Sequence, residues 1–241
     1  MKILIVPDVH GRDFWRNPCL EHHSEFDKII FLGDYLDHYS GESTIGHDIE
    51  TLKDIIKFKK EHSDKVILLI GNHDCPYIWP DTYGRALGDY WCRHDNLNHK
   101  EIHKLFTDNL DLFTLAWDCP YKDSKLLITH AGVTEYFKNV CGTNAEQINN
   151  FFLKEKSGNL PNVIGLAACS YYRGGYSESG SIVWADVREH LRGGTTDVYQ
   201  IFGHTYSEGI IAEDHFIMVD TGKACVIFDT DGDFKVETCT I

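Results

Sequence analysis

The stretch VILLIGNHDC, residues 66–75, joins an apolar run directly to a polar loop. Its five leading apolar residues are typical of a strand that is covered on both faces, as in the parallel sheets of α/β proteins. Directly after this strand, Gly71 allows a sharp turn, and Asn72, His73 and Asp74 bring polar side chains to the edge of the sheet. A buried strand that ends in such side chains indicates a site at that edge.

The same succession of a buried strand and a polar loop occurs four more times along the chain. The further loops are DVHG at 8–11, GDYLD at 33–37, HAG at 130–132 and GHT at 203–205. Ligands of open α/β sheets bind in the crevice at the carboxyl ends of the strands. Since each loop begins where a strand ends, we expect the five loops to meet in one crevice.

The side chains of these loops are those that bind transition metals. They comprise carboxylates, one amide oxygen and several imidazoles, a donor set that suits manganese, iron or zinc. A carboxylate such as Asp34 can bridge two cations that lie about 3.5–4 Å apart. Two divalent cations would also offset the repulsion between carboxylates that are clustered away from water. The sequence therefore predicts a two-metal centre.

The composition is that of a globular protein with an acidic surface. The chain has 241 residues, of which 42% are hydrophobic and 25% charged, and its formal net charge is −14; we expect one domain, 1–241. The negative charge argues against unspecific binding of nucleic acid or anionic membranes. Because the first apolar run is too short for a secretory signal and no run is long enough to span a membrane, we expect a cytoplasmic protein.

Predicted strands and helices alternate early in the chain, and strand hairpins come later, which favours an α/β fold. Apolar runs predict strands at 2–6, 28–32, 65–70, 126–129, 198–202, 216–219, 224–228 and 234–239. Helical spacing predicts helices at 13–22, 101–113 and 144–156, and one that Ser43 or Thr44 caps and that reaches Lys59. Gly232 predicts a hairpin turn at 229–234.

The five loops, in this order, resemble the motifs of the calcineurin-like metallophosphoesterases, within which the serine/threonine protein phosphatase branch is the most similar. The resemblance spans residues 3–205 and includes VWAD at 183–186, which is similar to the Trp-Ser-Asp element of that branch. It implies a four-layer β-sandwich flanked by helices. Other branches of the family have a second histidine two residues after Gly-His. This chain has Tyr206 at that position and in this respect resembles the phosphatase branch, which lacks the histidine.

The resemblance also implies which residues bind two divalent metal ions, with manganese expected first and iron or zinc as alternatives. It assigns Asp8, His10 and Asp34 to the first metal, and Asp34, as the bridge, with Asn72, His130 and His204 to the second. A water or hydroxide that bridges the metals is the implied nucleophile. His73 is the implied general acid, with Asp74 orienting it; alternatively, His73 is only a metal ligand or a structural donor.

Both arginines that bind phosphate in the protein phosphatases are absent from the matching positions, which are His38 and Pro76 in this chain. Arginine grips phosphate oxygens with a planar fork that other side chains do not reproduce. The possible substitutes are His38, Arg173, Arg188 and Arg192. Tyr35 and Tyr39 flank the site in sequence and are candidates for stacking on a base or an aromatic leaving group; the alternative is that they simply pack.

We therefore expect a phosphomonoesterase similar to the protein phosphatases, acting on a phosphoprotein or a nucleotide. The loss of the arginines keeps a second enzyme open, a nucleotide phosphodiesterase or dinucleoside polyphosphate hydrolase, because a diester carries less charge at phosphorus. A third interpretation is a metal-binding module without catalysis. The presence of His73 and Asp74 argues against that module, since structural metals have no use for a proton donor.

Overall fold

The computed structural model describes residues 1–83, 98–153, 164–194, 197–231 and 236–239. The strands are β1 Lys2–Val6, β2 Lys28–Phe31, β3 Val66–Leu69, β4 Phe113–Thr114, β5 Ala116–Tyr121, β6 Ser124–Thr129, β7 Tyr199–Phe202, β8 Ile211–Ala212, β9 Phe216–Met218, β10 Cys225–Asp229 and β11 Val236–Cys239. The α-helices are α1 Ile45–Glu61, α2 Cys75–Ile78, α3 His99–Thr107, α4 Glu135–Cys141, α5 Ala145–Leu153 and α6 Val187–Gly193. Shorter turns of helix are Asn17–Glu21, His23–Glu25, Leu110–Leu112 and Tyr171–Arg173.

The strands form two sheets, each with a parallel centre. The first sheet has the order β11-β10-β1-β2-β3-β4, and β1 to β4 run parallel in it. The second has the order β5-β6-β7-β9-β8, in which β6, β7 and β9 run parallel. Parallel neighbours place their carboxyl ends at one edge, so the loops after β1, β2 and β3 emerge together, as do those after β6 and β7.

The two sheets pack face to face, with helices on their outer faces. Along β1, Ile3 and Ile5 belong to the apolar cluster between the sheets, which also contains Ile128 and Phe228. The alternate residue Leu4 packs in the cluster that contains the α1 side chains. A third cluster joins α6 to the far face of the second sheet. This layering of helix, sheet, sheet and helix confirms the predicted four-layer sandwich.

Helix α1 agrees closely with the sequence pattern. The Thr44 side chain accepts a hydrogen bond from the His47 amide at 3.2 Å, as an N-cap residue does. Its predicted apolar stripe, which includes Ile49, Leu52 and Ile55, is buried. The helix crosses the first sheet on its outer face and contacts β3.

Two predicted helices are wrong in extent, and three strands were missed. The segment 13–22 forms only the π-helical turn Asn17–Glu21, with Pro18 at its start. The helix at 101–113 ends at Thr107, and Asn109 donates its side-chain amide to the Leu105 carbonyl at 2.8 Å beyond that end. Strand β5 lies at an edge of its sheet and carries Pro120, a residue that edge strands tolerate but that weakens the strand pattern. The very short β4 and β8 give no pattern to detect.

The end of the predicted helix 144–156 and the hairpin turn at Gly232 lie outside the described residues. Over the described part of the chain, none of the helices combines the length and apolar character that crossing a bilayer requires.

The buried His190 on α6 predicts a pH dependence of stability. Burial lowers the pKa of His190 to about 4 from 6.5, so between these values the unfolded chain binds a proton that the folded chain does not. The free energy of unfolding therefore decreases as the pH falls below 6.5. His190 contributes a decrease of about 2 kcal/mol between pH 7 and pH 5.

We expect His190→Gln to remove that loss, measured as the difference in the free energy of urea unfolding between the two pH values. His47→Gln, at a partly exposed histidine, is the control and keeps the wild-type difference. An unchanged pH dependence in His190→Gln would contradict the assignment.

Candidate metal centre

Backbone hydrogen bonds join the five loops at the edge where the two sheets meet. The His10 amide donates to the Asp34 carbonyl at 2.7 Å, and the Gly203 amide donates to the His130 carbonyl at 2.8 Å. Side chains link further loops, since the His73 amide donates to Asp34 Oδ1 at 2.8 Å. The His204 amide donates to Asp8 Oδ1 at 3.1 Å, which joins a loop of the second sheet to one of the first. The loops from both sheets therefore form one crevice, as the strand ends predict.

The structure brings together all six residues that the sequence predicts as metal ligands. His130 Nε2 lies 3.0 Å from Asn72 Oδ1, 3.2 Å from His204 Nδ1 and 3.5 Å from Asp34 Oδ2. On the other side, His10 Nε2 lies 3.7 Å from the same Asp34 oxygen. The amide oxygen and the imidazole nitrogens thus converge on the carboxylate of Asp34.

Two groups of donor atoms can be distinguished within this cluster. In each group the ligand atoms lie within 4.8 Å of one another: Asp8, Asp34, His130 and His204 form the first, and His10, Asp34 and His73 form the second. Asp34 belongs to both groups. This shared carboxylate is the feature that a bridged pair of cations requires, and the presence of His73 in the second group keeps its interpretation as a ligand open.

Hydrogen bonds to backbone carbonyls fix the orientation of two imidazoles. His10 Nδ1 lies 2.8 Å from the Leu36 carbonyl, and His130 Nδ1 lies 2.8 Å from the Leu32 carbonyl. Each ring nitrogen donates there, which leaves Nε2 with a lone pair directed at the cluster, as in metal-binding histidines. The ligand tautomer is therefore set by the backbone.

The electrostatics of the cluster fit bound cations. Burial, followed by the charges of Asp8 and Asp74, raises the pKa of Asp34 well above its usual range. Burial likewise lowers the pKa of His130 and of His204, and keeps these rings neutral. Buried carboxylates repel one another while neutral imidazoles offer lone pairs, so divalent cations would relieve the repulsion and use the donors. The residues present thus fit a metal site.

The site is built on strained backbone. Four of its non-glycine residues have left-handed φ angles: His10 (46°), Asp34 (51°), Asp37 (63°) and His204 (67°). Such angles are uncommon outside glycine and concentrate at functional sites. Close approach also requires glycine at one position, because a Cβ on Gly71 would lie 2.6 Å from the Asp34 amide nitrogen.

Asp37, and not Asp74, orients His73. Asp37 Oδ2 lies 2.8 Å from His73 Nδ1, and Tyr77 donates its hydroxyl to Asp37 Oδ1 at 2.6 Å. The predicted role of Asp74 in this pair is therefore wrong. The sequence offers both carboxylates, Asp37 as the second of GDYLD and Asp74 as the neighbour of His73. Only the folded structure shows that Asp37 contacts the ring.

The Asp74 carboxylate instead binds the backbone of two loops. Its oxygens accept hydrogen bonds from the amides of Asp34 at 2.9 Å, Tyr35 at 3.1 Å and Gly71 at 2.8 Å. Asp74 itself is fully buried. It therefore holds the two turns that present Asp34 and Asn72, a structural role that adjacency in sequence did not indicate.

The four predicted substrate-binding residues separate into two pairs. Arg173 lies beside the cluster, where it donates to the His204 carbonyl at 3.1 Å and to Thr205 Oγ1 at 2.7 Å, with Asp186 2.9 Å away. His38 stands next to the GDYLD loop and its Nδ1 lies 2.8 Å from Asp48.

Arg188 and Arg192 gather instead around Tyr172. Arg188 donates to the Tyr172 carbonyl at 2.8 Å, is paired with Asp186 and leaves 54% of its side chain exposed. The Arg192 guanidinium lies 5.3 Å from the centre of the Tyr172 ring. These contacts form a cluster at the surface. The role of Arg188 and Arg192 in substrate binding therefore stays a prediction, and none of these contacts supports it.

The position of Asp74 predicts a loss of stability when it is truncated. We expect Asp74→Ala to lower the free energy of unfolding by about 3 kcal/mol or more, because three buried amides would lose their acceptor. Urea denaturation monitored by circular dichroism measures this effect. The control is Asp118→Ala, since that carboxylate is partly exposed and accepts a hydrogen bond from the Ala145 amide. Equal, small losses in both variants would contradict the proposed role.

Comparison with known proteins agrees with this geometry. A family model described as calcineurin-like phosphoesterase matches residues 1–208. The chain is 29% identical over 147 residues to a candidate serine/threonine-protein phosphatase of Schizosaccharomyces pombe, and 26% identical over 148 residues to the serine/threonine-protein phosphatase PP1-delta of Caenorhabditis elegans. Each match covers 57% of this chain and 41% of the relative, so the matched part spans less than half the length of these relatives.

Solved structures share the fold at low sequence identity. The cold-active protein-tyrosine phosphatase of a psychrophilic Shewanella species has a TM-score of 0.56 at 16% identity, covering 99% of this chain and 80% of that chain. A protein serine/threonine phosphatase from Saccharomyces cerevisiae with similarity to human phosphatase PP5 has a TM-score of 0.57 at 14% identity, covering 99% and 79%. Because the family model extends over most of the sequence, this chain belongs to the calcineurin-like phosphoesterase family.

Proposed function

We propose that the chain is a metal-dependent phosphomonoesterase with two divalent cations, and that its activity is similar to that of the protein phosphatases. The observation that carries the proposal is the buried Asp34 carboxylate, which belongs to both groups of donor atoms. Asp8, His10 and Asp34 would hold one cation, and Asp34, Asn72, His130 and His204 the other. Bound cations would supply Lewis-acid chemistry, which polarises a phosphate and lowers the pKa of water.

His73 is proposed as the group that protonates the leaving oxygen. Asp37 holds its Nδ1 at 2.8 Å, so Nε2 is the nitrogen from which a proton can be given. A carboxylate that accepts from one ring nitrogen fixes the tautomer and the direction of the other nitrogen, as a general acid requires. His73 is 14% exposed at the side chain and its ring lies 5.0 Å from that of His10. A proton donor at the rim of the donor cluster is therefore available.

Arg173 is the residue best placed to bind the phosphate in place of the missing arginines. Contacts with Asp186, Thr205 and the His204 backbone hold its guanidinium against the first group of donors, to which His204 belongs. An anchored arginine loses little freedom when it binds an anion. His38 is a second candidate, since Asp48 orients its ring next to the loop that carries Asp34.

A nucleotide phosphodiesterase or dinucleoside polyphosphate hydrolase is the alternative. It is supported by the histidine at position 38, where an arginine clamp for a dianionic monoester would be expected. Turnover of a phosphate monoester and of a diester, measured side by side with manganese, distinguishes the two enzymes. Hydrolysis of neither substrate would favour a metal-binding module without catalysis.

The dependence of activity on metal tests the site itself. We expect chelation to abolish hydrolysis of a phosphate monoester and manganese to restore it. We also expect His204→Gln to lower kcat/KM by about a hundredfold or more, because a ligand is lost. His23→Gln, at a histidine that packs against Phe58, is the control and retains activity. Full activity of His204→Gln, or activity that survives chelation, would contradict the proposal.

The Asp37 and His73 pair predicts a dependence on the leaving group. We expect Asp37→Asn to lower kcat by about 10- to 100-fold for an alkyl phosphate, whose alkoxide must be protonated as it leaves. The loss should be much smaller for p-nitrophenyl phosphate, because nitrophenolate leaves without a proton.

Asp48→Asn is the matched control, since Asp48 lies at the same 2.8 Å from His38 Nδ1. We expect Asp48→Asn to change kcat by the same factor for the alkyl phosphate and for p-nitrophenyl phosphate. An Asp37→Asn variant that slows both substrates equally would assign the pair a structural role.

A further inference from the structure

A pocket of about 310 Å³ opens beside the proposed metal ligand His10. Its walls come from the loop after DVHG, the loop around Tyr39, and the segments that carry Tyr206 and Gly222. Its volume lies at the lower end of the range of small-molecule sites, about 300–1,000 Å³. It is large enough for one planar ring system with a sugar-sized substituent and adjoins the donor cluster at one end.

Two tyrosines line this pocket and leave part of their aromatic surface exposed. Tyr39 is 41% exposed and Tyr206 is 58% exposed, which is unusual for large aromatic side chains that line a concave site. The Tyr39 ring lies 5.2 Å from the His10 ring, edge to face, and the Arg12 guanidinium lies 5.1 Å from its centre. Aromatic rings and guanidinium planes together bind planar, π-bearing groups by stacking.

A glycine keeps the space between these groups open. Gly222 has a φ of +65°, and a Cβ placed on it would lie 3.5 Å from Tyr206 Cε2 and 3.7 Å from Arg12 Cζ. These are ordinary contact distances, so any side chain at this position would extend into the space between Tyr206 and Arg12. The pocket therefore depends on the absence of a side chain at Gly222.

The polar groups of the pocket suit a ligand with hydroxyl donors and negative charge. The Asp220 carboxylate is 5% exposed and accepts one hydrogen bond, from the Gly222 amide at 3.0 Å, which leaves acceptor capacity toward the pocket. Lys223 places a cation at the rim of a chain whose net charge is −14. The Arg12 charge is balanced by Glu42 at 2.8 Å, so Arg12 contributes chiefly a flat surface.

We propose that this pocket binds the nucleoside part of a nucleotide, with the phosphate of that nucleotide at the donor cluster next to His10. The base stacks against Tyr206 and the Tyr39 and Arg12 pair, and a ribose hydroxyl donates to Asp220. The proposal rests on the proposed phosphomonoesterase function and adds its substrate class. A seryl or threonyl leaving group carries no ring that could stack on this surface.

The test compares AMP with glycerol 2-phosphate, a monoester without a ring, on the manganese-loaded protein. We expect Tyr206→Ala and Gly222→Asn to lower kcat/KM for AMP about tenfold, the loss that corresponds to one stacked base, while kcat/KM for glycerol 2-phosphate stays within about twofold. Asparagine tolerates the positive φ of Gly222 and fills the pocket. Tyr136→Ala, at a tyrosine 48% exposed on α4, is the matched control and changes neither value.

Equilibrium dialysis with labelled AMP, adenosine and ribose 5-phosphate separates this inference from the proposed function. AMP that binds about tenfold more tightly than ribose 5-phosphate, with Tyr206→Ala removing the difference, supports the pocket even if no ester is hydrolysed. Hydrolysis of glycerol 2-phosphate by a protein that binds AMP no better than ribose 5-phosphate overturns the nucleoside assignment and leaves the phosphatase intact. The assignment is also overturned if Tyr206→Ala and Gly222→Asn lower kcat/KM equally for AMP and for glycerol 2-phosphate.

Discussion

The repulsion between buried carboxylates at the crevice is the constraint on which the rest of the site depends. Asp8 and Asp34 are almost completely inaccessible to solvent, and Asp34 sits among the imidazoles of His10, His130 and His204. Burial and the neighbouring charges raise the pKa of Asp34. Keeping these carboxylates ionised next to one another therefore costs free energy. Bound divalent cations would offset this cost, because the carboxylates and imidazoles of the cluster would then serve as ligands.

The surrounding fold holds these groups together against their repulsion. Parallel strands from two sheets deliver the loops to one edge, and left-handed turns at His10, Asp34 and His204 aim the side chains inward. The Asp74 carboxylate binds the turns of two loops through their amides. Asp37 and Asp74 lie close together in the crevice, but Asp37 orients His73 whereas Asp74 binds backbone amides. The sequence alone does not distinguish these two roles, and it therefore assigns the orientation of His73 to Asp74.

The sequence predicts best those features that depend directly on a strand end. The six proposed ligands could be identified because each lies in a loop that follows a buried apolar run, and the α/β layering is consistent with the alternation of strands and helices. Strand β5 was missed because Pro120 interrupts its pattern at a sheet edge. The pocket beside His10 has no motif, since Arg12, Tyr39, Tyr206 and Gly222 are far apart along the chain and meet only through the fold.

The most direct test of the two-cation centre is anomalous X-ray diffraction from crystals grown with manganese. We expect two anomalous peaks about 3.5–4 Å apart, with a carboxylate oxygen between them. That oxygen should belong to Asp34, with Asp8 and His10 near one peak and Asn72, His130 and His204 near the other. A single peak, or peaks that do not flank Asp34, would contradict the claim that these six side chains bind a pair of metal ions.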